Sequence, residues 1–87
     1  MKRVTILVVE DDTLVRFNAF DFLTGGGYRV IEAAYADKAI ASLENNPDIT
    51  IVFTNVNIPG SIDGLRLVEA IRKRWPPVML ITTSGNN

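Results

Sequence analysis

The sequence contains neither cysteine nor histidine among its 87 residues. The lack of cysteine excludes a disulfide framework and thiol chemistry. The lack of histidine excludes zinc fingers, Ser-His-Asp triads and the side chain that most often shuttles protons near neutral pH. For the same reason, this chain cannot carry a phosphohistidine.

Positive and negative charges are also nearly balanced, with a net charge of −1. Such a balance gives no reason to expect nucleic acid or an anionic membrane as a partner. The apolar run that follows Met1-Lys2-Arg3 ends at Glu10, which is too short for a cleaved signal sequence or a membrane span. With 47% hydrophobic and 22% charged residues, the sequence predicts one small globular domain, residues 1–87, in the cytoplasm.

Strand and helix patterns alternate along the chain without a linker or an internal repeat. Apolar runs predict strands at residues 4–9, 28–33, 49–54 and 78–83. Helical patterns predict helices at residues 13–24, 36–45 and 64–74, the last of them capped by Asp63. In the third helix we expect the inner stripe to be Leu65, Val68 and Ile71. The β-α-β-α-β-α-β order predicts a parallel sheet with helices on both faces.

The first predicted helix has an ambiguous apolar face. At about 100° per residue, an inward arc is formed by Val15, Ala19, Phe22 and Leu23. Phe17 and Phe20 lie outside this arc, so we expect them to belong to a partner surface. The glycines at 25–27 follow the helix and precede a strand, which is the reverse of a phosphate-binding loop, so they predict a helix stop.

Three acids, Glu10, Asp11 and Asp12, follow the first strand. Open α/β sheets bind ligands at the carboxyl ends of their strands, and clustered carboxylates repel each other unless a cation lies among them. Oxygen ligands without histidine or cysteine suit Mg²⁺ or Mn²⁺. We predict that Glu10 and Asp11 bind such a cation and that Asp12 only caps the next helix. The alternative is that all three acids serve the helix start.

Four segments together resemble the receiver domain of two-component response regulators. They are ILVVEDD at residues 6–12, TNVNIPG at 54–60, DGL at 63–65 and TTSG at 82–85, in the order and spacing of that family. The resemblance covers the whole chain. It implies a flavodoxin-like, doubly wound parallel sheet, here of four strands in the order 2-1-3-4 with three helices.

The resemblance also implies roles for individual residues. In the family, an aspartate at the end of the third strand accepts a phosphoryl group from a histidine kinase or a phosphotransfer protein, with the help of Mg²⁺. The position of that aspartate is taken here by Asn55, which would border the metal. By the same correspondence Glu10 and Asp11 are the acidic metal ligands, Asn57 supplies a backbone carbonyl ligand, and Thr83 and Ser84 form the strand end that senses the phosphoryl group.

Asn55 departs from the family pattern at the reacting atom. A carboxylate oxygen can attack phosphorus, whereas a carboxamide is a very poor nucleophile. The change also removes one negative charge, so we expect Mg²⁺ or Mn²⁺ to bind weakly. We therefore predict no catalytic residue and no enzyme activity. Transfer to Thr54, Asp11 or Ser84 is disfavoured, because the in-line geometry is set for position 55.

The family pattern continues beyond Asn87 with a fourth helix, a fifth strand that carries a lysine, and a fifth helix. Relative to that pattern, the chain corresponds to the N-terminal portion of a receiver and lacks the lysine that would pair with the phosphoryl group. We expect the fourth strand, residues 78–83, to be a bare apolar edge. Such edges pair with other chains, so we predict a homo-oligomer, a dimer, through this edge or through the first helix.

The functional interpretations remain three at this point. The leading one is a receiver module of a two-component phosphorelay that binds partner proteins, with its phosphoacceptor chemistry blocked by Asn55. The second is a natural, phosphorylation-independent pseudo-receiver that acts as an oligomerising interaction module. The third, a flavodoxin-type cofactor module, is disfavoured by the acids at residues 10–12, where such a module needs uncharged loops.

Overall fold

The computed structural model of the chain describes residues 3–55 and 62–83, and for Asn55, Ile62, Asp63 and Thr83 it describes the backbone. All seven predicted elements are present, and their ends lie within two residues of the prediction. The third helix begins at Ile62, so the predicted cap residue Asp63 lies within the helix. They are β1 (Thr5–Val9), α1 (Thr13–Gly25), β2 (Arg29–Ala33), α2 (Ala36–Asn45), β3 (Ile49–Asn55), α3 (Ile62–Arg74) and β4 (Met79–Thr83).

The four strands form one parallel sheet in the order β2-β1-β3-β4, which confirms the predicted topology. β1 lies between β2 and β3, and each of its five residues is buried. A strand that is covered on both faces has no polar face, which explains why β1 is apolar from Ile6 to Val9. Because the strands are parallel, their carboxyl ends meet at one edge of the sheet.

The main core lies between the sheet and the pair α2 and α3. Side chains alternate between the two faces of a strand, so Leu7 and Val9 of β1 enter this core while Ile6 and Val8 lie on the opposite face. α1 packs against β1 and β2, on the side away from α2 and α3. The core cluster consists of Leu7, Val9, Ala33, Ala39, Leu43, Ile49, Val52, Leu67 and Ile71.

The predicted inner stripe of α3 was partly wrong. Leu65 is exposed, Val68 is half-buried and Ile71 is buried, and the other buried residue of the described part of the helix is Leu67. Leu67 and Ile71 are four residues apart and therefore share one face. Leu65 lies about 200° around the helix from Leu67, which turns it toward solvent.

The predicted inward arc of α1 was also partly wrong. Val15 and Phe22 are 51% and 80% exposed. The half-buried residues of the helix are Arg16, Ala19, Phe20 and Leu23. This set has the i, i+3, i+4, i+7 spacing of one helical face, but it includes a charged residue. A search for apolar residues alone therefore misplaces the face.

α1 ends at the three glycines, as predicted. The Gly26 N–H donates to the carbonyl oxygens of Phe22 and Leu23, and the Gly27 N–H donates to that of Thr24. Gly27 has φ 94°, a left-handed backbone that only glycine adopts without strain. None of the helices in residues 3–55 and 62–83 has the length and apolar character that a membrane span requires.

Candidate functional site

The candidate site lies at the carboxyl edge of the sheet, where β1, β3 and β4 end at the same level. Val9, the last residue of β1, pairs with Thr54, and Thr54 pairs with Thr82. One step further, Asn55 and Thr83 are register partners. The backbone thus places the predicted acceptor and sensing positions side by side, one residue beyond the level of Val9. The predicted site residues Asn57 and Ser84 lie outside the described residues.

Glu10 follows β1 directly and is nearly buried, with 9% of its surface exposed. Its N–H donates to the Ala33 carbonyl oxygen at 3.0 Å, which continues the β1–β2 pairing by one step. Its carboxylate oxygen Oε2 accepts the Asp12 N–H at 2.9 Å. Glu10 is therefore held by its main chain and its side chain at the start of the turn into α1.

Asp11 and Asp12 have different environments. Asp12 is the N-cap of α1, because its Oδ1 accepts the Val15 N–H at 3.0 Å. This confirms the helix-cap role predicted for Asp12. Asp11 is exposed. The structure thus gives Asp12 to the helix and leaves Glu10 and Asp11 as the two carboxylates considered for a cation.

Sequence reasoning missed Arg16, which the structure brings to the same turn. Its Nη1 donates to the Glu10 carbonyl oxygen at 2.8 Å, and its Nε lies 3.4 Å from Glu32 Oε1. Arg16 follows Asp12 by one helical turn on the inner face of α1. The signal available in the sequence was a basic residue four positions after the last of the three acids.

The donor chemistry of this edge fits a small divalent cation. Mg²⁺ binds through one or two carboxylates and keeps several waters, and Glu10 and Asp11 provide two carboxylates. A carboxylate oxygen has two lone pairs, so accepting the Asp12 N–H does not remove Glu10 Oε2 from the potential ligands. Residues 3–55 and 62–83 contain no group of three or more His, Cys, Asp or Glu side chains arranged for a metal. Magnesium binding stays a prediction.

Residues 6–87 of the chain match the family model described as "Response regulator receiver domain". The chain is 37% identical over 82 residues to the response regulator protein FleR of Pseudomonas aeruginosa, and 35% identical over 82 residues to the sensor kinase CckA of Brucella abortus. These matches cover 92% and 93% of this chain. The chain spans 17% and 9% of the length of those two relatives.

Solved structures of the same kind match the fold. A receiver protein from Pseudomonas putida has a TM-score of 0.87 at 25% identity, over 100% of this chain and 72% of that chain. A CheY-like receiver domain from Methanospirillum hungatei has a TM-score of 0.88 at 28% identity, over 99% of this chain and 67% of that chain. The fold and the motifs therefore lead to one family.

Proposed function

Because this chain belongs to the response regulator receiver domain family, we propose that it is a receiver module that signals by binding partner proteins and that Asn55 blocks normal phosphoryl acceptance. The observation that carries the proposal is the position of Asn55. It ends β3, beside Thr83 and one residue beyond the level of Val9, where Glu10 follows. This is the position in the sheet at which the acidic turn and two strand ends meet.

The chemistry of the side chain accounts for the block. An aspartate at this position could form an acyl phosphate, but the amide of Asn55 has a delocalised nitrogen lone pair and an uncharged oxygen. Glu10 and Asp11 would hold Mg²⁺ weakly, with Asn55 and the Asn57 carbonyl beside it. When bound, the cation neutralises negative charge on phosphate oxygens. Thr83 and Ser84 would sense a group bound at this edge.

The proposed partners are a histidine kinase or phosphotransfer protein and a second copy of the chain, in the cytoplasm. α1 offers one surface for them, because Leu14 and Phe17 are exposed apolar residues. One relative that matches most of this chain is named a sensor kinase, and others are named response regulators. Apolar side chains beside a charged turn suit binding of a protein better than binding of a small ion.

A second candidate function, an oligomerising pseudo-receiver, is favoured by β4. It is the outermost of the four described strands on its side of the sheet, and it contains no charged residue and no proline. Met79 and Ile81 of β4 are 59% and 39% exposed. Uncharged, apolar edge strands pair with other chains, and a two-fold pair is the commonest closed arrangement.

The position of Asn55 is tested by a titration with Mn²⁺, which binds to oxygen ligands as Mg²⁺ does and is detected by its paramagnetism. We expect Asn55→Asp to tighten Mn²⁺ binding by about tenfold or more, since even outer-shell partners change metal affinity by about 10–100-fold. The change adds one carboxylate at the proposed metal site.

Asn45→Asp is the matched control. It adds the same charge at an exposed position at the end of α2, shortly before β3 begins and so toward the opposite edge of the sheet. Exposed charges beyond about 10 Å are largely screened at 0.1 M salt, so this variant should bind Mn²⁺ as the parent does. Equal affinities for Asn55→Asp and the parent would show that Asn55 does not border a metal site.

A further inference from the structure

Arg16 is the least exposed side chain of the ion pairs in the described part of the chain, with 20% of its surface accessible. Its guanidinium joins two elements. Nη1 donates to the main-chain carbonyl of Glu10 at the end of β1, and Nε faces the carboxylate of Glu32 on β2. Arg16 itself lies on α1, so one side chain connects a helix to two neighbouring strands.

Three hydrogen bonds stabilise the turn between β1 and α1, and each involves Arg16 or its partner Glu10. The Arg16 guanidinium holds the Glu10 carbonyl, and the Arg16 N–H donates to the Asp12 carbonyl at 2.9 Å. Between them, the Glu10 carboxylate accepts the Asp12 N–H. Asp11 lies inside this ring, between its two anchored neighbours. Movement of the Arg16 side chain therefore removes the bond that holds the Glu10 carbonyl, directly before Asp11.

We infer that Arg16 is a positioning residue that holds Glu10 and Asp11 in place for a divalent cation. The inference rests on the proposed metal pair and adds the residue that orders it. A guanidinium presents its donors in a rigid, planar fork, which suits simultaneous contact with a carbonyl and a carboxylate. A lysine ammonium is a single point charge on a flexible stem and cannot reproduce both contacts in the same geometry.

The sign of the effect separates positioning from electrostatics. A positive charge beside two carboxylates repels a metal cation, so removal of the charge alone would tighten metal binding. Removal of the clamp would loosen it, because the ligands lose their order. Arg16→Gln removes both the charge and the clamp, and Arg16→Lys removes the clamp while it keeps the charge. The positioning role predicts weaker metal binding in both variants.

The control is Arg29→Lys at the other end of the sheet. Arg29 also forms an ion pair, with its Nη1 3.0 Å from Asp48 Oδ2, but it begins β2 rather than flanking the acidic turn. The Mn²⁺ titration should show about tenfold weaker binding for Arg16→Lys and Arg16→Gln, the lower end of the range for a lost outer-shell partner. Arg29→Lys should remain within about twofold of the parent, since it leaves the turn unchanged.

A second measurement needs no metal. The Asp12 N–H is protected by the Glu10 carboxylate, so hydrogen exchange at this amide reports the order of the turn. In the metal-free protein, Arg16→Lys should raise the exchange rate of the Asp12 amide by about tenfold, while amides in the middle of α1 keep the parent rate. Arg29→Lys should leave the Asp12 amide unchanged.

The two measurements distinguish the two claims. A parent chain that binds no Mn²⁺ contradicts the proposed metal pair, and amide exchange then decides the clamp alone. An Asp12 amide that exchanges at the parent rate in Arg16→Lys overturns the clamp. Tighter Mn²⁺ binding in Arg16→Gln overturns it as well, because that result shows a purely electrostatic role.

Discussion

Gly27 shows how a single backbone angle fixes the junction between α1 and β2. Among the described residues it alone has a positive φ, 94°. A Cβ placed on Gly27 would meet nothing within 4 Å, so space does not require glycine there. The requirement is conformational, because side chains with a Cβ rarely adopt this angle. Gly25, two residues earlier, also has open space but a helical backbone.

These two glycines predict opposite responses to alanine. Gly27→Ala should lower the free energy of unfolding by about 1–2 kcal/mol, the cost of a left-handed backbone for a residue with a Cβ. Gly25→Ala should raise it by up to about 1 kcal/mol, since alanine favours the helix. Urea denaturation of the parent and both variants measures the difference. A Gly27→Ala variant as stable as Gly25→Ala would show that the turn does not depend on the angle.

The residues of the site were predictable from sequence where local rules apply. Asp12 was predicted as a cap because one acid before a helix has a standard role, and the structure confirms it. Arg16 was missed because its partners lie in two separate segments: Glu10 follows β1, and Glu32 is part of β2. No pattern along the chain encodes a contact that forms only when three elements pack together.

At the scale of the element, the strands and helices follow directly from periodicity. Their order and bounds were predicted because apolar runs and helix caps alternate clearly along the chain. The face that each helix turns toward the core was harder to predict than the presence of the helix. The inner face of α1 was predicted wrongly because Arg16 occupies an inner position. The inner face of α3 was predicted wrongly because it was placed on Leu65 instead of Leu67. Both errors concern rotation about a helix axis.

β4 is the element whose surface carries the clearest prediction about assembly. Leu80 packs against the core cluster, so a charge there would disturb folding as well as any edge contact. Met79 is the better probe, because it is exposed and lies on the other face of the strand. We expect the 87-residue chain to form a dimer at micromolar concentration, with apolar burial contributing about 25 cal/mol per Å².

Met79→Lys should shift the chain to a monomer, since a charged side chain on an edge strand opposes pairing. Leu65→Lys is the control, because it places the same charge at an exposed apolar position on α3. Sedimentation velocity of the three proteins measures the assembly state. A parent chain that is folded and monomeric would refute dimerisation, and equal effects of both variants would place the contact elsewhere.

At the scale of the whole molecule, the residues of the proposed signalling site meet at one edge of the sheet. β1 brings the acidic turn, β3 ends in Asn55 and β4 brings Thr83 beside it. α1 clamps the turn through Arg16. The architecture is that of a receiver, and in the proposed function the amide of Asn55 takes the place of the aspartate nucleophile of the family. The central claim is therefore chemical: the chain has the fold of a receiver, but residue 55 does not accept a phosphoryl group.

The most direct test is intact-mass spectrometry of the chain after incubation with acetyl phosphate and Mg²⁺. A receiver that carries aspartate at the corresponding position, treated in parallel, shows that the donor is active. We predict that the mass of this chain stays unchanged, because the amide of Asn55 is a very poor nucleophile. An increase of about 80 Da on the parent chain, the mass of one phosphoryl group, would contradict the claim.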